Sequence, residues 1–145
     1  MLSRVAESIF WMARYMERTN RTLRMLHTKY ISSQDEINDF SWNSVLQTYS
    51  DKPAAEYSLI ENDSPKVLRH LIIDKENDFS VINNITRARE NARSVQDHIT
   101  KEVWLCLNEF YHLIREPDIE KNICSGDPVT SLDLLIRHGM LYNGT

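Results

Sequence analysis

Hydrophobic residues return at helical spacing over most of the chain. From Ser3 to about Ser32 apolar positions recur at helical spacing, in steps of three, four or seven residues, which predicts one long helix with Ser3 as its N-terminal cap. In its first half, Phe10, Trp11 and Tyr15 extend the apolar surface nearly around the cylinder. A helix of that kind is buried on several sides. The stripe itself consists of Val5, Ile9, Met12, Met16, Leu23 and Tyr30.

A second stripe is even more regular and predicts another long helix. Asp78 can cap it, and the apolar positions follow one another in steps of three or four without a break as far as Arg115, after which Pro117 ends the pattern. The sequence therefore predicts one continuous helix over residues 78–115. The positions of this stripe are Val81, Ile85, Ala88, Ala92, Val95, Ile99, Val103, Cys106, Phe110 and Leu113.

Shorter segments fill the rest of the chain, and none resembles a pair of strands. They are a polar loop over residues 32–39, short helices over 42–49 and 54–60, a helix that starts at Ser64-Pro65 with Ser64 as its cap, a turn-rich connection over 117–126, and a last helix from Asp127-Pro128 to Gly139. The fold class predicted is all-α, a helical bundle with two long helices and several short ones, in a single domain over residues 1–145.

Composition changes this picture little. Only 3 Gly and 4 Pro disfavour a β fold built on tight turns, and a net charge of −4 argues against non-specific nucleic-acid binding. No apolar run approaches the about 20 residues of a membrane span, and no signal peptide is recognisable. Cys106 and Cys124 are too few for a disulfide framework. We expect a cytoplasmic protein with reduced thiols, no nucleic-acid partner and no membrane association.

Two clusters of arginine and glutamate interrupt the apolar patterns, at residues 14–18 and 87–93. Charged side chains are seldom buried unpaired, because desolvating an isolated ion is costly. The clusters are therefore either structural ion pairs or the lining of a polar site. The candidate ligand-binding residues are Arg14, Glu17, Arg18, Arg89, Glu90, Asn91 and Arg93.

In the first cluster, Glu17 borders the stripe, with Arg14 three residues before it and Arg21 four after, so ion pairs within the helix are possible. The favoured interpretation is a structural ion pair that holds the first helix to a neighbour. The alternatives are a ligand site, in which Arg14 or Arg18 binds a carboxylate or phosphate, and acid–base chemistry by Glu17. In the second cluster, Glu90 lies nearly opposite the stripe and faces water unless another helix covers it.

Two small residues in the second stripe, Ala88 and Ala92, permit another helix to approach closely. We hypothesise that the first helix crosses there, which would let the two clusters meet and Glu17 lie near Arg89 or Arg93. The two segments do not read as an internal repeat, because their glutamates point in different directions relative to the stripes.

No catalytic or metal-binding signature accompanies the clusters. Glu109 and His112 have the Glu-x-x-His spacing of di-iron bundles, but such sites need two of these motifs and two further glutamates. Cys106 lies on the stripe as a packing residue, and Cys124 lacks a histidine partner. There is no Gly-rich phosphate loop and no zinc spacing. We predict no catalytic residue, no cofactor and no metal.

Two blocks of sequence resemble a known family. The first is Leu2-Ser3-Arg4-Val5-Ala6-Glu7-Ser8 followed by Trp11, Arg14-Tyr15 and Glu17-Arg18, and the second is Ala88-Arg89-Glu90-Asn91-Ala92-Arg93 followed by Trp104 and Asn108. In this order they resemble the alpha-E family, predicted helical proteins with a Glu-Arg signature. Because members of that family are about twice as long, the chain looks like the N-terminal half of the family pattern.

The resemblance also implies a functional context. Genes of the family lie beside, or are fused to, atypical ATP-grasp ligases and transglutaminase-like proteins, which implies peptide synthesis or processing. The leading hypothesis is a helical accessory or interaction module with such a partner, and the alternative is an enzyme of peptide-bond chemistry that uses the Arg/Glu cluster. A homo-oligomer or the missing C-terminal half would cover the apolar surface, which includes Phe10, Trp11, Tyr15, Trp104 and Leu105.

Overall fold

A computed structural model describes residues 2–34 and 40–144, and these residues form helices and connecting turns with no strand among them. The predicted all-α fold class is confirmed. The α-helices of the described residues are α1 (Leu2–Ser33), α2 (Asn43–Tyr49), α3 (Ala54–Tyr57), α4 (Ser64–Ile72), α5 (Val81–Ser94), α6 (Lys101–Ile114), α7 (Pro117–Ser125) and α8 (Pro128–Asn143).

Side-chain caps set where several helices begin. In each case a side-chain oxygen accepts a backbone N–H of the first turn, which would otherwise have no partner within the helix. Ser80 therefore caps α5 in place of the predicted Asp78, and Asp63 caps α4 one residue before the predicted Ser64. Ser3 lies inside α1. The four capping residues are Asp63, Ser80, Thr100 and Asp127.

The prediction of one continuous helix over residues 78–115 is wrong. α5 ends at Ser94, a single 3₁₀ turn covers Gln96–His98, and Ile99 is extended (φ −119°, ψ 161°). The Thr100 hydroxyl then accepts the N–H of Val103 at 3.2 Å and starts α6. Hydroxyl side chains that bond to nearby backbone groups compete with the helix in this way.

The break also changes which side of α6 is buried. The continuous pattern assigned Val103 and Leu113 to the core, but both are only half-buried. The buried positions of α6 are Leu107, Phe110 and Ile114. Because the chain turns at residues 95–100, α6 packs back against α5 and also against α8, so the expected second long helix is two shorter ones.

Two further boundaries differ from the prediction. Residues 117–125 form a helix rather than a turn-rich connection, since Pro117 occupies the first turn, where the missing N–H costs nothing. Gly139 does not end α8. It lies buried within the helix, and a Cβ at this position would collide with the side-chain amide of Asn20 on α1. The absence of a Cβ at Gly139 therefore leaves room for the Asn20 side chain between α8 and α1.

The short helices predicted for residues 42–49 and 54–60 are present as α2 and α3. Of the predicted loop over residues 32–39, Ser32 and Ser33 belong to α1, and residues 35–39 lie outside the described residues. None of the described helices combines the length and the hydrophobicity that a membrane-spanning segment needs.

The core forms where α1 packs against α5 and α8. Ala88 and Ala92 are fully buried on α5, which agrees with the predicted close approach of the first helix. The hydroxyls of Ser8 and Ser94 lie 3.4 Å apart, so the N-terminal part of α1 is beside the C-terminal end of α5 and the two helices run antiparallel. Other fully buried core residues are Met16, Leu23, Leu26, Leu68, Leu71, Ile85, Leu107, Phe110, Leu132 and Leu135.

Candidate functional site

A cleft of about 400 Å³ opens where α1, the end of α2 and the first half of α5 meet. Its lining combines guanidinium groups with hydroxyl, amide and aromatic side chains. The residues that line it are Tyr15, Arg18, Arg21, Thr22, Thr48, Tyr49, Asp78, Phe79, Asn84 and Arg87. The lining contains three arginines and one carboxylate, and the carboxylate of Glu17 lies 2.9 Å from Arg21, so among the described residues one guanidinium is left without a carboxylate beside it.

Arg18 is held in the cleft by aromatic rings. Its guanidinium carbon lies 5.6 Å from the ring centre of Tyr15 and 5.9 Å from that of Trp11, both earlier on α1. Within the described residues it forms no ion pair with a carboxylate. A guanidinium that packs on aromatic rings keeps the N–H donors along its edge available for an anion.

The other two arginines of the cleft are paired with carboxylates. Arg21 Nη2 lies 2.9 Å from Glu17 Oε1. Arg87 Nη2 lies 3.3 Å from Asp78 Oδ1, and Arg87 Nη1 donates to the backbone carbonyl of Asp78 at 2.6 Å. Both guanidinium groups line the cleft together with Arg18, but each has a carboxylate beside it, and Arg87 is fixed by the segment that precedes α5.

Glu17 uses both carboxylate oxygens within α1. One oxygen lies 3.2 Å from Arg14 Nη1 and the other 2.9 Å from Arg21 Nη2, so the predicted intrahelical pairing is confirmed. The side chain is half-exposed. The hypothesis that it pairs with Arg89 or Arg93 is wrong, because its ion pairs in the described structure stay on its own helix. They do not fasten α1 to a neighbour.

In the second cluster, Arg89 connects α5 to α6. Its Nε donates to Asn108 Oδ1 at 3.0 Å, and its guanidinium carbon lies 4.3 Å from the ring centre of Tyr111 and 5.6 Å from that of Trp104. The side chain is only 19% exposed. Arg89, Trp104 and Asn108 belong to the second block of the family resemblance, and the fold brings them together as a structural contact.

The remaining candidates of the second cluster lie outside the cleft lining. Glu90 is exposed, as its position opposite the stripe predicts, and lies 3.6 Å from Arg89 Nη1. Asn91 donates its side-chain amide to the backbone carbonyl of Arg87 at 2.9 Å. Arg93 is exposed near the end of α5. The two clusters do meet, but through Arg18 and Arg87 in one cleft.

Sequence reasoning missed Arg87, the α2 residues and Asp78. These residues come together because of how α1 crosses α5 and where α2 packs, and the spacing of apolar residues along a helix does not predict either. One signal was available: Asn84 lies one turn before Ala88 on the buried face of α5, and a buried amide on an apolar face marks a polar site.

No group of three or more metal-binding side chains is placed to hold an ion within the part of the chain that the structure describes. Glu109 and His112, which have the spacing of a di-iron motif, are both exposed on α6.

Comparison with known proteins identifies a family. The model of the Alpha-E family, described as a predicted alpha-helical domain with a conserved ER motif, matches residues 1–145. ER stands for Glu-Arg, and the one Glu-Arg dipeptide in the sequence is Glu17-Arg18. No curated protein and no solved structure matches the chain. This dipeptide includes Arg18, which lines the cleft and has no carboxylate partner among the described residues.

The two clusters should differ in their effect on stability. Arg89→Ala should lower the free energy of unfolding by about 2–3 kcal/mol, because it removes a charge-assisted hydrogen bond and two ring contacts. Glu17→Ala should lower it by only about 0.5–1 kcal/mol, because exposed ion pairs within a helix contribute little. Urea denaturation measures both, with Arg93→Ala as the control for loss of charge on α5. Equal losses for Arg89→Ala and Arg93→Ala would contradict the structural role.

Proposed function

The chain belongs to the Alpha-E family, and on that premise we propose that it is a helical accessory module that binds an anionic group, a carboxylate or a phosphate, in the arginine-lined cleft. One observation carries the proposal. Arg18, the arginine of the Glu-Arg dipeptide, lines the cleft and is held by aromatic rings rather than by a carboxylate.

The chemistry of the cleft supports this class of ligand. A planar guanidinium presents two parallel N–H donors, which match the oxygens of a carboxylate or phosphate. A volume of about 400 Å³ lies in the lower part of the range of small-molecule sites, about 300–1,000 Å³. Tyr15, Tyr49 and Phe79 add an aromatic surface, which favours an anion attached to an organic group over a bare inorganic ion.

We further propose that this module works with an ATP-grasp ligase or a transglutaminase-like protein in peptide synthesis or processing, as the family resemblance implies. ATP-dependent peptide ligation handles both carboxylates and phosphates, and an anion-binding accessory domain suits that chemistry. We do not assign peptide-bond catalysis to the motif, because both oxygens of Glu17 are in ion pairs with Arg14 and Arg21.

Exposed apolar side chains support an association with another helical surface. Phe10 on α1 and Leu105 on α6 are exposed, and Trp11, Tyr15 and Trp104 are only half-buried. We propose that, for this chain by itself, a second copy covers Phe10.

Light scattering should then give a mass above that of the 17.1 kDa chain, and Phe10→Asp should return it to the monomer value, because a buried carboxylate would lose its hydration. Leu59→Asp, which changes an exposed leucine beyond α3, is the control and should leave the mass unchanged. A wild-type mass of 17.1 kDa at high protein concentration would contradict self-association.

The central prediction concerns Arg18. Calorimetry at low salt should detect binding of inorganic pyrophosphate and of citrate, which represent the phosphate and carboxylate classes. Arg18→Ala should raise the Kd about tenfold or more, since a charge-assisted hydrogen bond contributes about 1.5–3 kcal/mol. Arg18→Lys should fall between the two, because it keeps the charge and loses the planar fork.

Arg93→Ala provides the matched control, because it removes the same charge from an exposed position outside the cleft. It should change the Kd only slightly, through the general potential of the protein. Equal effects of Arg18→Ala and Arg93→Ala, or absence of wild-type binding to both anions, would refute the cleft as an anion site.

A further inference from the structure

Part of the cleft is built from two chain segments that hydrogen bonds hold together. Thr48 and Tyr49 end α2, and Asp78 and Phe79 precede α5; all four side chains line the cleft. The N–H of Asp78 donates to Asp51 Oδ2 at 2.9 Å, which links the two segments directly.

Asn77 is the buried centre of this connection. Its Oδ1 accepts the backbone N–H groups of Asp51 at 3.1 Å and Phe79 at 3.2 Å. Its Nδ2 donates to the carbonyls of Tyr49 at 3.3 Å and His70 at 3.2 Å. An amide side chain has two donors and two acceptor positions, so Asn77 uses all of them and has no exposed surface.

A second chain of contacts runs from α4 to the end of α2. Ser50 Oγ lies 2.7 Å from His70 Nε2, and His70 Nδ1 lies 2.9 Å from Asp74 Oδ2. Burial raises the pKa of the Asp74 carboxyl, but hydrogen bonds from His70 and from the Glu76 N–H, with the nearby charges, outweigh this and hold the pKa below its ordinary value. An ionised Asp74 accepts the Nδ1 proton, so in the neutral ring Nε2 accepts from the Ser50 hydroxyl.

The same residue types in the same order form the catalytic relay of serine hydrolases. Here the serine is the buried member of the three, because Ser50 is buried whereas His70 and Asp74 are partly exposed. A nucleophile has to reach its substrate. The two backbone N–H groups that follow Ser50 are already used: that of Lys52 donates to Ser50 Oγ, and that of Asp51 donates to Asn77 Oδ1. Neither is therefore available to stabilise an oxyanion.

We infer that Ser50, His70 and Asn77 are positioning residues of the cleft, which fix the end of α2 against the segment that precedes α5. This inference rests on the proposed anion-binding function. The contacts continue to a cation: Asp51, next to Ser50, holds the N–H of Asp78, and Asp78 holds the Arg87 guanidinium through its carbonyl and its carboxylate. Loss of the Ser50–His70 hydrogen bond should therefore make the position of Arg87 less fixed, while the ring contacts of Arg18 stay in place.

The chain offers a matched pair of serine variants. Ser50→Ala removes the hydroxyl that bonds His70, at the cleft end of α2. Ser64→Ala removes a hydroxyl of α4 that accepts from Trp42 Nε1 at 2.9 Å, before the start of α2 and away from the cleft. Each variant deletes one hydrogen bond between the α2 region and α4, and Ser50→Ala also removes the acceptor of the Lys52 N–H. Both should therefore lower the Tm by a few degrees, Ser50→Ala by the larger amount.

Only Ser50→Ala should weaken pyrophosphate binding, with a Kd raised about threefold or more, and Ser50→Thr should restore most of the affinity because it returns the hydroxyl. Arg87→Ala gives a further readout that general destabilisation does not produce. If Ser50 acts by holding Arg87, Ser50→Ala should add little to the loss already caused by Arg87→Ala.

Equal Kd values for wild type and Ser50→Ala, equal losses in the two serine variants, or fully additive losses with Arg87→Ala would overturn the positioning role. Wild-type binding separates this failure from failure of the proposed function, which would instead show as no pyrophosphate binding by the unaltered chain. Labelling of Ser50 by a fluorophosphonate, lost in His70→Asn, would also overturn the inference and assign a nucleophile.

Discussion

The packing of α1 against α5 is the contact on which the rest of the structure depends. Ala88 and Ala92 are fully buried and let the two antiparallel helices approach closely. That approach places Arg18 of one helix and Arg87 of the other in a single cleft. Arg21 and Arg87 each have a carboxylate beside them, whereas Arg18 has none among the described residues. The packing that completes the core therefore also positions the residues of the proposed anion site.

The two arginine clusters show how surroundings divide one residue type between two roles. Arg89 has its ring contacts and an Asn108 hydrogen bond inside the α5–α6 interface, so its guanidinium is part of the scaffold. Among the described residues, Arg18 has contacts with aromatic rings and no ion pair, and it lines the cleft. The difference comes from α6, which turns back over one side of α5 after residue 100. Without that turn, Arg89 would have no partner helix.

Helical periodicity predicted the fold class, α1 and the short helices α2 and α3, because burial of an apolar stripe decides those elements.

Periodicity could not predict the break after Ser94, since Val95, Ile99 and Val103 keep a helical spacing of four even where the backbone leaves the helix. Pro117 and Gly139 gave wrong helix boundaries because each residue type occurs both at helix ends and elsewhere: proline fits a first turn, and glycine fits a close contact such as that with Asn20.

Arg18 was among the predicted site residues. Arg87, Asp78 and Tyr49 join it in the cleft only through tertiary packing, and Ser50, His70 and Asp74 form no recognisable motif in the sequence.

Side-chain NMR of the arginines would show directly whether an anion binds between Arg18 and Arg87. In a chain labelled with ¹⁵N at arginine, the Nε–H resonances should be followed while pyrophosphate is added. An anion bound between Arg18 and Arg87 should give saturable shifts for both with a common Kd, and small, non-saturating shifts for the exposed Arg14 and Arg93. Uniform small shifts for all arginines, or saturable shifts that omit Arg18, would contradict binding at this site.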